Sequence, residues 1–123
     1  MTNNQFSNKY DLEERTAKFG EQIICFCRSI KSDKLADPVL NQLLRAGTSI
    51  GANYMEANGA SSKRDFTNKI FICKKEAQET KYWLRMAKSF LPEKSEQIGS
   101  LWKEAQELTL IFQKIGSSLK IGV

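Results

Sequence analysis

Between Ser62 and Phe90 the apolar residues Phe66, Ile70, Cys73, Ala77, Leu84 and Ala87, with Thr80 among them, alternate steps of four and three. A seven-residue repeat held this long describes a helix packed lengthwise against other helices. The same segment carries Lys63, Arg64, Lys69, Lys74, Lys75, Lys81, Arg85 and Lys88 against Asp65, Glu76 and Glu79. Its excess of positive charge equals the +5 of the entire chain. One helix therefore supplies both a core seam and the electrostatic surplus.

Three further helices follow from the same periodicity. The first runs over about 11–31, with the seam Thr16, Phe19, Ile23, Phe26 and Ile30, and with Asp11, Glu13 and Glu14 suited to the positive end of the helix dipole. Phe6 is expected to anchor an otherwise frayed beginning. Asp37-Pro38 reads as a cap followed by proline at the first helical position, opening a second helix over about 38–58. Its seam is Leu40, Leu43, Gly47, Ile50, Tyr54 and Ala57. Gly47 and Gly51 lie four apart in a helix, where each costs about 1 kcal/mol relative to alanine; close approach of a neighbouring helix is the expected compensation.

Asn58-Gly59 predicts a left-handed cap, and Ser62-Lys63-Arg64-Asp65 a capping box for the third helix over about 62–90. After Pro92 a fourth helix spans about 93–120, with Ile98, Leu101, Ala105, Leu108, Phe112, Ile115 and Leu119 as its seam. The fold class is thus all-α, one domain over residues 1–123: an antiparallel, up-down-up-down, left-handed four-helix bundle.

Apolar residues remain after the seams are assigned. Ile72, Trp83, Met86 and Phe90 form a second line on the third helix, and Tyr82, Trp102 and Ile111 add to it elsewhere. This surplus predicts homo-oligomerisation through Ile72, Trp83, Met86 and Phe90, most simply as a closed ring.

The inventory disfavours several chemistries. With no histidine in the chain, neither a Glu-x-x-His di-iron site nor a histidine-activated nucleophile can be built. Cys25 and Cys27 diverge on a helix and read as packing residues. No glycine-rich phosphate loop follows a strand. The expectation is a protein without catalytic residues, metal or cofactor. Three cysteines and a polar opening, Met1–Lys9, suggest reduced thiols and a cytoplasmic location. No run approaches the ~20 apolar residues of a membrane span.

The leading functional feature is the basic face of the third helix. Lys74, Lys81 and Lys88 recur every seven residues beside Arg85, and Lys63 and Arg64 stand at the helix start. These six residues are the candidate contacts to the phosphates of RNA or DNA. A solvated helix face, or a scaffold that binds another protein and no nucleic acid, is the alternative left open.

The run Leu44-Arg45-Ala46-Gly47-Thr48-Ser49-Ile50-Gly51-Ala52-Asn53-Tyr54, with Glu56-Ala57, Asp65-Phe66, Lys75-Glu76-Ala77, Glu79-Thr80 and Tyr82-Trp83-Leu84-Arg85, resembles the central signature of the bacterial four-helix bundle proteins also called 23S rRNA intervening sequence proteins. Met55 departs from a glutamate common at that place. The resemblance implies a protomer assembled as a homopentameric ring around a central axis. It also implies relatives encoded within insertions in 23S rRNA genes, and a related branch acting as the nucleic-acid-binding accessory subunit of a retroelement reverse transcriptase. Arg45, Asn53, Glu56 and Glu79 match the family's polar positions and are expected to form a hydrogen-bonded network holding the second helix to the third or to the next subunit.

Overall fold

A computed structural model describes the backbone of residues 4–120 and the side chains of residues 12–119. Four helices follow one another: α1 (Asn4–Arg28), α2 (Ala36–Asn58), α3 (Lys63–Phe90) and α4 (Ser95–Lys120). A single 3-10 turn, Pro92–Lys94, joins α3 to α4, and no strand occurs among the described residues. Phe6 as an anchor and the side chain of Asp11 lie outside the described side chains.

The seams pack as the spacing predicts. Phe19, Ile23 and Phe26 of α1, Leu43 and Ile50 of α2, Ile70 and Leu84 of α3, and Leu108 and Phe112 of α4 retain almost no exposed surface. Burying each such side chain contributes about 1.5–3 kcal/mol. Ile30, Phe66, Ile115 and Leu119, at the seam ends, are half-buried against the same core. The hydroxyls that interrupt it are satisfied locally: Thr16 donates to the Leu12 carbonyl at 2.9 Å, Thr80 to Glu76 at 2.7 Å and Thr109 to Ala105 at 2.8 Å. Threonine at a seam position thereby avoids the cost of an unpaired buried hydroxyl.

Contacting residues run in opposite directions along neighbouring helices. Cys27 meets Leu40 while Gly51 meets Thr16; Cys73 meets Ile50 while Lys69 meets Glu56; Lys81 meets Gln106 while Gly116 meets Phe71. Each pair of adjacent helices also carries a polar clamp outside the core. Asn58 donates to Glu13 at 2.6 Å across α1 and α2, and Lys81 donates to Gln106 across α3 and α4. Across α1 and α4, Arg15 binds Glu104 at 2.7 and 2.9 Å and Glu107 at 2.6 Å.

The glycine pair of α2 has the expected partner. A Cβ on Gly47 would lie 2.8 Å from Ile23 Cγ1, and one on Gly51 would lie 3.3 Å from the Thr16 carbonyl oxygen. Both glycines let α1 close onto α2.

Helix ends differ from the sequence expectation in four places. The α1 backbone is already helical at Asn4 and stops at Arg28, leaving Lys31 beyond it. α2 begins at Ala36 rather than Pro38, so Asp37 does not cap it. The Asp37 carboxylate instead turns back to accept from the Ser32 hydroxyl at 2.7 Å and the Asp33 amide at 3.1 Å. Those bonds, the hydroxyl's first, hold its carboxyl below the usual range. Pro38 sits in the first turn, where a missing N–H costs nothing. Gly59 is not left-handed: at φ −97° and ψ 8° its N–H reaches the Glu56 carbonyl, a tightened last turn open to any residue. The segment after Leu91 is the 3-10 turn, so α4 begins at Ser95 rather than at Glu93. The Ser62 cap forms, its hydroxyl accepting from the Asp65 amide at 3.0 Å.

Candidate nucleic-acid interface

The heptad that buries Ile70, Cys73, Ala77, Thr80, Leu84 and Ala87 sets Lys74, Lys81 and Lys88 one step past the seam, on the flank of α3 that meets α4. Lys74 and Lys81 are half-buried there, while Arg85 and Lys88 are exposed. Lys63 and Arg64 are exposed in the first turn of α3. None of the six takes part in an ion pair among the described residues, in contrast to Arg15, Arg45 and Lys69.

Lys81 is the best-held member. Its amine donates to Gln106 of α4 and lies over the indole of Trp102, 5.3 Å from the ring centroid. Cation and aromatic ring attract through the ring's quadrupole. Beside them Arg85 and Lys88 join Ile98, Gly99 and Trp102 around a cleft of about 380 Å³. Gln106, Gly99 and Trp102 were not legible as part of this face from the spacing of α3. The available signal was that Trp102 directly follows the seam residue Leu101, which puts it on a flank of α4.

The four signature polar residues divide. Arg45 binds Glu76 at 3.2 Å and also Glu79, and its Nε donates to Gln42 at 3.2 Å. The Trp83 indole N–H donates to Glu79 at 3.1 Å. That bond, then Arg45 and Lys75, holds the Glu79 carboxyl below its ordinary value. Glu56 reaches α3 through Lys69 at 2.7 Å. Asn53 is not brought to α3; its amide donates to the Ser49 carbonyl of its own helix at 2.8 Å. The clamp is thus built by Arg45 and Glu79 with Glu76 and Trp83, and a second strut by Glu56 with Lys69.

Of the residues read as oligomer contacts, Trp83 and Phe90 are half-buried against the protomer's own core, and Ile72 and Met86 are half-buried beside them. Larger exposed apolar surface belongs to Leu35, Met55, Tyr82 and Leu110, each more than half exposed. A groove of about 630 Å³ lies along α1 and α2, where Ala17, Gly20, Ile24 and Met55 are bordered by Glu13, Glu14 and Glu21.

Cys25 is exposed, whereas burial pushes the Cys27 thiol up to about 11 and the Cys73 thiol up to about 12. No group of three or more metal-ligating side chains occurs among the described residues. No described helix is long and apolar enough to cross a membrane.

Four helices, one shared core and a clamp at each seam place the chain in the class of four-helix bundle proteins. More narrowly, it belongs to the 23S rRNA-intervening sequence protein family, whose model matches residues 8–114. It is similar to a protein of unknown function from the S23 ribosomal protein family of Bacteroides thetaiotaomicron, known from a crystal structure. The two are 32% identical, with 85% of this chain and 96% of that one covered and a TM-score of 0.75. No curated protein matches the chain.

Proposed function

We propose that this protein is a non-enzymatic nucleic-acid-binding bundle that grips phosphates through the α4-side flank of α3. The observation that carries the reading is the row Lys74, Lys81, Arg85 and Lys88, which extends ~21 Å along the helix with no carboxylate paired to any member among the described residues. Contacts of this kind are independent of base sequence, and no groove-entering motif is present to add sequence reading. Lys63 and Arg64 extend the row at its start.

We infer further that copies of the chain assemble, and that the ring of five and the left-handed twist implied by the family resemblance apply here. Support comes from the exposed Met55, Tyr82 and Leu110 and from the half-buried Ile72 and Met86, which remain available on the flank away from α4. A ring would turn a weak phosphate site into a multivalent one. Light scattering is expected to give a mass five times that of the chain; a stable monomer at micromolar concentration refutes the assembly.

Binding is tested with two variants of equal charge change. Arg85→Glu/Lys88→Glu is expected to abolish retention of a labelled RNA at low salt, while Lys31→Glu/Lys34→Glu, reversed at the turn between α1 and α2, retains it. Equal loss in both would reduce the effect to net charge and overturn the assignment of the face. The groove along α1 and α2, with exposed Ile24 and Met55, favours a second reading as a protein scaffold, which gains if neither variant nor wild type holds RNA.

A further inference from the structure

The cleft between α3 and α4 offers more than charge. Trp102 is 40% exposed, and Lys81, held in turn by Gln106, fixes it from one side. Arg85, Lys88, Ile98 and Gly99 line the same concavity with Trp102, and no acidic residue is among the described residues that line it. A Cβ on Gly99 would meet nothing within 4 Å, so there is open space beside this lining residue. Its volume of about 380 Å³ falls in the range of about 300–1,000 Å³ that suits small ligands or parts of larger ones.

An aromatic face in a concave site, lined also by two cations that make no ion pair among the described residues, is the arrangement that takes a flat π-system carrying negative charge. From this the geometry points to a single-stranded nucleic acid, one unpaired base stacking on Trp102 while Arg85 and Lys88 hold the flanking phosphates. A duplex presents its phosphates but keeps the faces of its bases inside the stack. The cleft therefore prefers a single strand over a duplex, and Trp102 is the residue that distinguishes them. RNA and DNA share this chemistry. The inference rests on the phosphate-binding reading above and names its ligand class.

The test compares a labelled single-stranded oligonucleotide, in ribo and deoxyribo forms, with a duplex of equal length at low salt. Wild type is expected to bind either single strand more tightly than the duplex, with quenching of the indole emission that Trp102→Phe lacks. Trp102→Ala is expected to weaken single-strand binding by about five- to a hundredfold, Trp102→Phe by less, and both to leave duplex binding unchanged. Gly99→Leu puts bulk into the cleft while keeping its charged residues and its indole, at a position where a Cβ meets nothing within 4 Å, and is expected to give the same loss. Equal affinity for single strand and duplex, unmoved by either Trp102→Ala or Gly99→Leu, would overturn the stacking role and leave the phosphate reading standing. Absence of any binding by wild type would overturn both.

Discussion

Replacing Gly47 by alanine is expected to destabilise the protein, although alanine is the better helix former. On propensity alone the substitution gains about 1 kcal/mol. The new methyl would sit 2.8 Å from Ile23 Cγ1, 3.0 Å from its Cγ2 and 3.2 Å from its Cβ. Ile23 is fully buried and β-branched, so its γ carbons cannot swing away. Relief requires α1 to move off α2, and such overpacking costs about 1–3 kcal/mol. The net expectation is a loss of about 0–2 kcal/mol, centred on about 1 kcal/mol. Gly99→Ala is the control, because its Cβ meets nothing within 4 Å and the propensity gain of up to about 1 kcal/mol should appear in full. In thermal unfolding followed by far-UV circular dichroism at fixed protein concentration, Gly47→Ala should lower the midpoint by roughly 5 °C and Gly99→Ala raise it by roughly 3 °C. In an Ile23→Ala background the penalty of Gly47→Ala should shrink, since the clashing γ carbons are gone. Stabilisation by Gly47→Ala comparable to that of Gly99→Ala would refute the close approach of α1 and α2.

Arg45→Met should cost about 1–2 kcal/mol in urea unfolding, because it leaves Glu76, whose side chain is 12% exposed, without its partner; an unchanged midpoint would show that the clamp contributes nothing. Glu79 has its folded-state carboxyl held down by Trp83 and Arg45, so its contribution is present above the ordinary glutamate range and lost as pH falls through the lowered value. The acid sensitivity of stability should therefore be smaller in Glu79→Gln than in wild type. In a thiol-reagent time course at pH 8, Cys25 should react promptly, while Cys27 and Cys73, with thiols pushed to about 11 and about 12, should wait on opening of the structure. Three equally fast thiols would contradict the packing of Cys73 against α2.

The fold was legible because one period governs all four helices. A 3/4 spacing assigns Phe19, Ile50, Leu84 and Leu108 to the core without reference to what they meet, and the burial of those residues depends on little else. Helix ends were less legible, because they depend on the loop that follows. Asp37 has the look of a cap, yet Ser32 and Asp33 lie within its reach and take its carboxylate. The clamp of Arg45 with Glu79 was readable as polar residues set among small ones; Asn53 looked equivalent, but only the structure shows that it bonds within its own helix. Trp83 and Phe90 looked like surplus because a heptad describes one seam, whereas a helix with neighbours on both sides also half-buries its flanks. The basic face was visible as Lys74, Lys81 and Lys88. Its aromatic half was not, since the pairing of Lys81 with Gln106 and Trp102 depends on the register of α4 against α3, which spacing within a helix does not encode.

The grip of α3 on phosphates is tested most directly by the salt dependence of affinity for a labelled single-stranded RNA. If Lys74, Lys81, Arg85 and Lys88 each displace a counterion, the logarithm of the binding constant should fall against the logarithm of salt concentration with a slope of about −3 or steeper. A slope near zero, or no retention at the lowest salt, would contradict it.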